Sequence, residues 1–230
     1  MITVKTTDKE LLKAIAEVSA DMPGAADAVG EYEFIHEGDG IEITGDGVVK
    51  YCDRRAALRA YSLIVQNGGS AVKETPKYDI LGAMPDASRN AVPKIDTLKR
   101  FARILALEGY NALMLYTEDT YEIKGRPYFG HLRGRYTAKE LKELESYCEL
   151  LGIELIPAIQ TLAHLNGMFE WPAHYELNDC NDIMLVGDEK VYQMIDDMLS
   201  TMASTLKTRK INIGLDEAKM LGSGRYLDYN

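Results

Sequence analysis

Cysteine is scarce in this chain: only Cys52, Cys148 and Cys180 occur among 230 residues. They are odd in number and widely spaced, with no C-x-x-C pair, which excludes a zinc knuckle and a thioredoxin-like redox motif. Buried or idle thiols in a reducing compartment are the expectation, because disulfides are depleted in the cytosol. Histidine is nearly as rare. His36, His131, His164 and His174 stand far apart and offer no metal-ligand spacing. No metal and no organic cofactor is expected. Positive charge is in deficit. The formal net charge of −10 argues against nucleic acid and anionic membrane as general partners, and leaves neutral or cationic small ligands open. Long apolar runs are missing too. No stretch reaches the roughly 18 residues of a membrane span. The opening "MITVKTTDKELLK" lacks the apolar core of a signal peptide. These absences predict a soluble, cytoplasmic protein.

What remains is an ordinary globular balance, 46% hydrophobic and 27% charged. The first 75 residues read as a small α+β module. Thr7, with Glu10 three residues on, fits a capping box, and Leu11, Leu12, Ile15 and Val18 give one helical face. "EYEFIHE", "GIEITGD" and "GVVKYC" read as short strands, and the Gly and Asp residues between them favour antiparallel hairpins. "RRAALRAYSLIVQ" reads as a helix that stops at Asn67–Gly69.

The texture changes near Lys73. From Tyr78 onward, apolar runs alternate with amphipathic helices: strand "YDILGAM", helix "IDTLKRFARILALEG", strand "NALMLYTED", helix "TAKELKELESYCELLG", strand "IELIPAIQ", helix "DEKVYQMIDDMLSTMASTL" and strand "KINIGLDE". This order is the signature of parallel βαβ units. Each apolar run ends in polar residues, as the strand ends of a (β/α) barrel do where they build an active site. A doubly wound open sheet is the rival, but its G-x-G-x-x-G fingerprint is missing after the first strand. A full eightfold barrel takes about 250 residues. Residues 76–230 hold about four βα units, so the predicted fold is α/β: a small domain over 1–75, then the first half of a TIM barrel over 76–230. A natural half-barrel would need its two open sheet edges covered, and a homodimer could pair them.

The sharpest local feature is Asp216 beside Glu217. At a strand's end the chain turns, so neighbouring side chains can reach one pocket. Two close carboxylates push their pKa values apart, giving a stabilising anion beside a general acid. That division suits glycosidic bond cleavage. An acidic loop opening a helix is the blander reading.

Four strand ends sharpen it. "PDASRNAVP" (Pro85–Pro93), "LYTEDTYE" (Leu115–Glu122), "PAIQTLAHL" (Pro157–Leu165) and "NIGLDEA" (Asn212–Ala218) together resemble glycoside hydrolase family 20, the β-N-acetylhexosaminidases. The closest likeness is to the bacterial branch with "LMLYTEDTYE" and "GLDEA", and the small first module matches the domain that precedes that family's barrel. The resemblance implies substrate-assisted retaining hydrolysis, in which the substrate's 2-acetamido oxygen attacks the anomeric carbon. It makes Glu217 the general acid/base and Asp216 the group that orients the acetamido and stabilises its developing charge. Arg89 would bind the terminal sugar's hydroxyls, with Asp86 orienting it. Glu118 and Asp119 would be acids or sugar contacts at the second strand's end, and His164 would line the pocket. The partners implied are β-linked glycans ending in N-acetylhexosamine, GlcNAc or GalNAc.

The family usually has histidine where Asn90 and Asn212 stand. The only tryptophan, Trp171, reads as loop packing or a rim of the aglycone side, and "GRPYFGHLRGRY" (Gly125–Tyr136) as a solvated basic loop. With half a barrel, the 230-residue chain alone is expected to be an inactive fragment. The alternatives are a non-catalytic sugar-binding or scaffold half-barrel, and a barrel hydrolase with a carboxylate nucleophile.

Overall fold

The computed structural model describes residues 2–229. Near the N-terminus, strand β1 (Ile2–Lys5) leads into helix α1 (Lys9–Ser19). The capping residue is Asp8, not Thr7. Asp8 Oδ1 accepts the Glu10 and Leu11 amides at 2.9 and 3.0 Å. A carboxylate one residue nearer the helix thus meets the orphan amides that a Thr7 hydroxyl would have served. The buried face is Leu11, Ala14, Ile15 and Val18; Leu12, about 100° round the helix from Leu11, is turned outward.

Strands β2 (Gly30–His36), β3 (Ile41–Ile43) and β4 (Val48–Tyr51) follow, then helix α2 (Arg54–Asn67) and strand β5 (Val72–Glu74). Their sheet runs β1-β2-β4-β3-β5. Only part of the hairpin expectation holds. β3 pairs antiparallel with β4 and β5, whereas β2 pairs in parallel with β1 and β4. The turn residues between β2 and β3 reverse the chain, but β4 then takes the place beside β2. Helix α2 starts on Asp53, whose side chain accepts the Ala56 amide, and ends at Gly68 in the left-handed region, φ 62°. That is the stop read from the Asn-Gly-Gly run.

The βα alternation continues through strand β6 (Gly82–Ala83), helix α3 (Ile95–Leu107), strand β7 (Ala112–Tyr116), helix α4 (Ala138–Leu150) and strand β8 (Glu154–Ala158). The strands stand in the order β6-β7-β8, with β6 parallel to β7. Parallel bridges Asp86↔Tyr116 and Ala158↔Asn212 extend this arrangement. Beyond β8 come a short helix α5 (Asn166–Phe169), a 3₁₀ turn over Pro172–Leu177, a small hairpin of β9 (Asn178–Cys180) and β10 (Ile183–Met184), helix α6 (Glu189–Thr205) and helix α7 (Arg225–Tyr229). The fold is α/β: a small α+β domain followed by successive βα units of a barrel.

Two strand expectations shrink. "YDILGAM" contributes only Gly82–Ala83 to the ladder, and Ile80 and Met84 are exposed. "KINIGLDE" forms no ladder strand. It runs beside β8 through Asn212 N–H to the Pro157 carbonyl at 3.0 Å and Ile159 N–H to the Asn212 carbonyl at 2.9 Å. Ile211, Ile213 and Leu215 have the alternation of a half-buried strand but remain exposed.

The chain divides into two compact units. One comprises the residues up to Ala83 with Lys94–Leu113 and Leu144–Glu154; the other comprises Met84–Pro93, Met114–Glu143 and the residues from Leu155 on. In the first, α2 packs on α1, α3 and the sheet. In the second, the core gathers Tyr121, Phe129, Met168, Met194 and Met198. The cysteines are free, and Cys148 is buried. Among the described residues no helix is long and apolar enough to cross a membrane.

Candidate active site

All seven residues singled out for chemistry lie in the second unit. After β6 the chain makes a tight turn on Asp86. Its Oδ1 accepts the Ser88 and Arg89 amides at 2.9 and 3.1 Å, and Arg89 Nε donates to Oδ2 at 2.6 Å. Burial acts to raise the Asp86 pKa, but the two amides and the guanidinium hold it below the usual carboxylate range. Arg89 is exposed and lies over the Tyr116 ring, 5.1 Å from its centroid.

The end of β7 supplies two buried acids. Glu118 accepts the Tyr116 hydroxyl at Oε1 and the Ser88 hydroxyl at Oε2, each at 3.2 Å. Asp119 is fully buried; both its oxygens lack a hydrogen-bond partner, and Arg133 Nε stands 3.4 Å away. Burial pushes both acids up, most directly because the charged form loses its water. Asp119 faces Arg133 and Gly167. A side chain at 167 would come within 2.6 Å of its Oδ2.

Past β8 the chain turns at His164, which is left-handed at φ 59° and donates its amide to Asp182 Oδ2 at 3.0 Å. Glu217 is left-handed too, at φ 53°. Side chains with a Cβ rarely adopt this conformation, and such strain gathers at functional sites. These two turns face each other: His164 Nε2 is 3.4 Å from Asp216 Oδ2 and 3.6 Å from Glu217 Oε2. Asp216 Oδ1 also accepts Gln160 Nε2 at 3.1 Å. That hydrogen bond is the main reason the Asp216 pKa lies below the ordinary value.

The arrangement therefore brings Asp216, Glu217 and His164 together, and sets Arg89, Asp86 and Glu118 around Tyr116. Asp119 stands apart from that ring but shares Arg133 with it, since the guanidinium also reaches Ser88 and, at 3.9 Å, Glu118. Sequence reasoning missed Gln160, Tyr116, Ser88 and Arg133. The Gly125–Tyr136 loop corrects the solvated reading. Phe129 packs edge-on against Tyr121 at 5.0 Å, Arg133 Nη2 donates to the Ser88 carbonyl at 2.9 Å, and Arg135 to the Phe129 carbonyl at 2.5 Å. Its alternating aromatic and basic residues were the available signal. Trp171 packs against His131, with ring centroids 4.7 Å apart. Among the described residues no group of three His, Cys, Asp or Glu could hold a metal ion.

The second unit thus sets successive βα units beside a carboxylate pair that follows the stretch bridged to β8. No family model matches the chain. Curated relatives do. It is 31% identical over 111 residues to a β-hexosaminidase of Akkermansia muciniphila, covering 40% of this chain and 22% of that protein. It is 26% identical over 148 residues to hexosaminidase D of Homo sapiens, covering 59% and 29%. In fold it is similar to the GH20 exo-β-N-acetylglucosaminidase from Vibrio harveyi in complex with N-acetylglucosamine (TM-score 0.77, 16% identity, 97% of this chain and 44% of that chain). It is similar as well to the GH20 β-N-acetylhexosaminidase from Streptomyces coelicolor A3(2) (TM-score 0.73, 20% identity, 94% and 56%). The chain thus resembles the N-terminal portion of glycoside hydrolase family 20. The aligned region covers less than a third of either curated relative and about half of each solved chain.

Proposed function

We propose that this chain is the N-terminal part of a β-N-acetylhexosaminidase that removes terminal β-linked GlcNAc or GalNAc by substrate-assisted retaining catalysis. The observation that carries the reading is the Asp216–Glu217 pair, gathered around His164 at 3.4 and 3.6 Å. Glu217 protonates the glycosidic oxygen while the substrate's acetamido oxygen attacks the anomeric carbon. Asp216, held ionised by Gln160, accepts the acetamido N–H and offsets the positive charge of the oxazolinium. Water, deprotonated by Glu217, then opens that ring, and two inversions give net retention. Arg89 binds sugar hydroxyls with the guanidinium donors that Asp86 leaves free.

The side chains of Asp216 and Glu217 are 62% and 63% exposed. Water at that exposure screens the charges that must act on the transition state. Residues 1–230 alone are therefore expected to hydrolyse nothing measurable, and the same exposure favours a second reading, a non-catalytic sugar-binding half-barrel. Turnover by the full-length protein decides between them. If it cleaves a chromogenic β-N-acetylglucosaminide and not the matching 2-hydroxy glucoside, the enzyme reading stands. Glu217→Gln should then lower kcat by about 10²–10⁴-fold on an unactivated disaccharide. Wild-type turnover in that variant would remove Glu217 from the role.

A further inference from the structure

Gln160 follows β8 and is 1% exposed. Its carboxamide nitrogen donates to two oxygens, Asp216 Oδ1 at 3.1 Å and the Tyr116 hydroxyl at 3.2 Å. Tyr116 in turn donates to Glu118 Oε1 at 3.2 Å, and its ring carries Arg89. The orientation of the amide is dictated. An ionised carboxylate only accepts, so the NH₂ end must face Asp216. The oxygen end, Oε1, is buried without a partner, and an added Cβ at Gly214 would come within 2.4 Å of it. The carboxamide is therefore enclosed on one side and hydrogen-bonded on the other.

We infer that Gln160 is the positioning residue of Asp216: its enclosed carboxamide fixes which way the carboxylate points and ties it, through Tyr116, to the turn that carries Arg89. The inference rests on the glycosidase reading for the use made of Asp216, not for the contact itself. The groups facing Asp216 are Gln160, His164 and the neighbouring Glu217; Tyr116, Glu118 and Arg89 stand behind Gln160. Of those, Gln160 and Arg89 do not titrate in the working range. An amide donates at every pH, whereas an acid at position 160 would donate only while protonated. The chain thus holds Asp216 with a partner whose own charge never changes.

The test is a carboxyl ¹³C NMR titration of the intact protein, with Asp216→Asn to assign the signal. Wild-type Asp216 should titrate below the ordinary aspartate value. Gln160→Leu, similar in volume and unable to donate, should move that midpoint upward. Gln160→Glu, isosteric and ionisable, should move it further. In the full-length enzyme the acidic limb of the rate–pH profile should follow the midpoint, and Gln160→Leu should lower kcat about tenfold with KM little changed, the scale of one hydrogen bond to a charged group. An unmoved Asp216 midpoint in Gln160→Leu overturns the inference. If the leucine variant does not fold, an unmoved midpoint in Gln160→Glu does the same. A moved midpoint with unchanged turnover keeps the positioning contact and overturns the catalytic role given to Asp216.

Discussion

Gly214, two residues before Asp216, offers a test that does not depend on turnover. Its φ is 53°, a conformation that costs an L-residue about 1–2 kcal/mol. A methyl group there would meet Gln160 Oε1 at 2.4 Å and the Ile159 carbonyl oxygen at 2.5 Å. The carbonyl is backbone and cannot rotate aside. Its neighbours are pinned, Ile159 N–H to the Asn212 carbonyl at 2.9 Å and Thr161 N–H to the Gly214 carbonyl at 3.3 Å. Overpacking of this kind costs about 1–3 kcal/mol. Gly214→Ala should therefore destabilise by about 3 kcal/mol, which for a chain of this length lowers Tm by roughly 6–12 °C. Differential scanning calorimetry reads the shift. Gly45→Ala is the control. Nothing lies within 4 Å of its added Cβ and its φ is unexceptional, so its change should stay within about 0.5 kcal/mol. If Gly214→Ala melts within about 2 °C of wild type, neither the left-handed backbone nor the packing against Gln160 constrains this position, and the enclosure argued for Gln160 falls with it.

Asp119→Asn should flatten the dependence of stability on pH. Its folded pKa is raised by burial, so its contribution is full below the unfolded pKa and is lost as pH rises through the folded one. The difference between wild-type and variant urea midpoints should therefore shift in favour of the wild type as pH falls from neutral towards about 4; parallel curves would refute it. Arg89→Lys keeps the charge but loses the forked donors. It should raise KM about tenfold with kcat less affected, read from initial rates on a chromogenic N-acetylglucosaminide. An unchanged KM would exclude Arg89 from sugar binding.

The helices were legible because a stripe at three-four spacing must be buried, and each of the five long ones, α1, α2, α3, α4 and α6, forms where its pattern stands. Strand partners were not legible. A short apolar run states that a segment is extended but not what lies beside it. In the small domain this hid the parallel pairing of β2 with β4. At "KINIGLDE" it hid something else: Ile211, Ile213 and Leu215 carry a strand's alternation, yet the hydrogen bonds found run to the Pro157–Thr161 side.

The residues proposed for the site are those that charge marks in the sequence; the neutral groups that touch them are silent there. Asp86, Arg89, Glu118, Asp119, His164, Asp216 and Glu217 are ionisable residues at strand ends, and resemblance picked them out. Gln160 and Tyr116 are a neutral amide and a phenol inside apolar runs; only distances of 3.1–3.2 Å reveal that they join the two halves of the site. The adjacency of Asp216 and Glu217 also needed the backbone. Successive side chains of a strand diverge to opposite faces. Here Glu217 turns left-handed, and Lys219 N–H closes the turn on the Glu217 carbonyl at 2.7 Å. That turn brings Glu217 back to the His164 ring already approached by Asp216. Two neighbouring carboxylates reach one imidazole, that of His164, because one residue leaves the strand conformation, at a strain of order 1–3 kcal/mol that the surrounding contacts must hold.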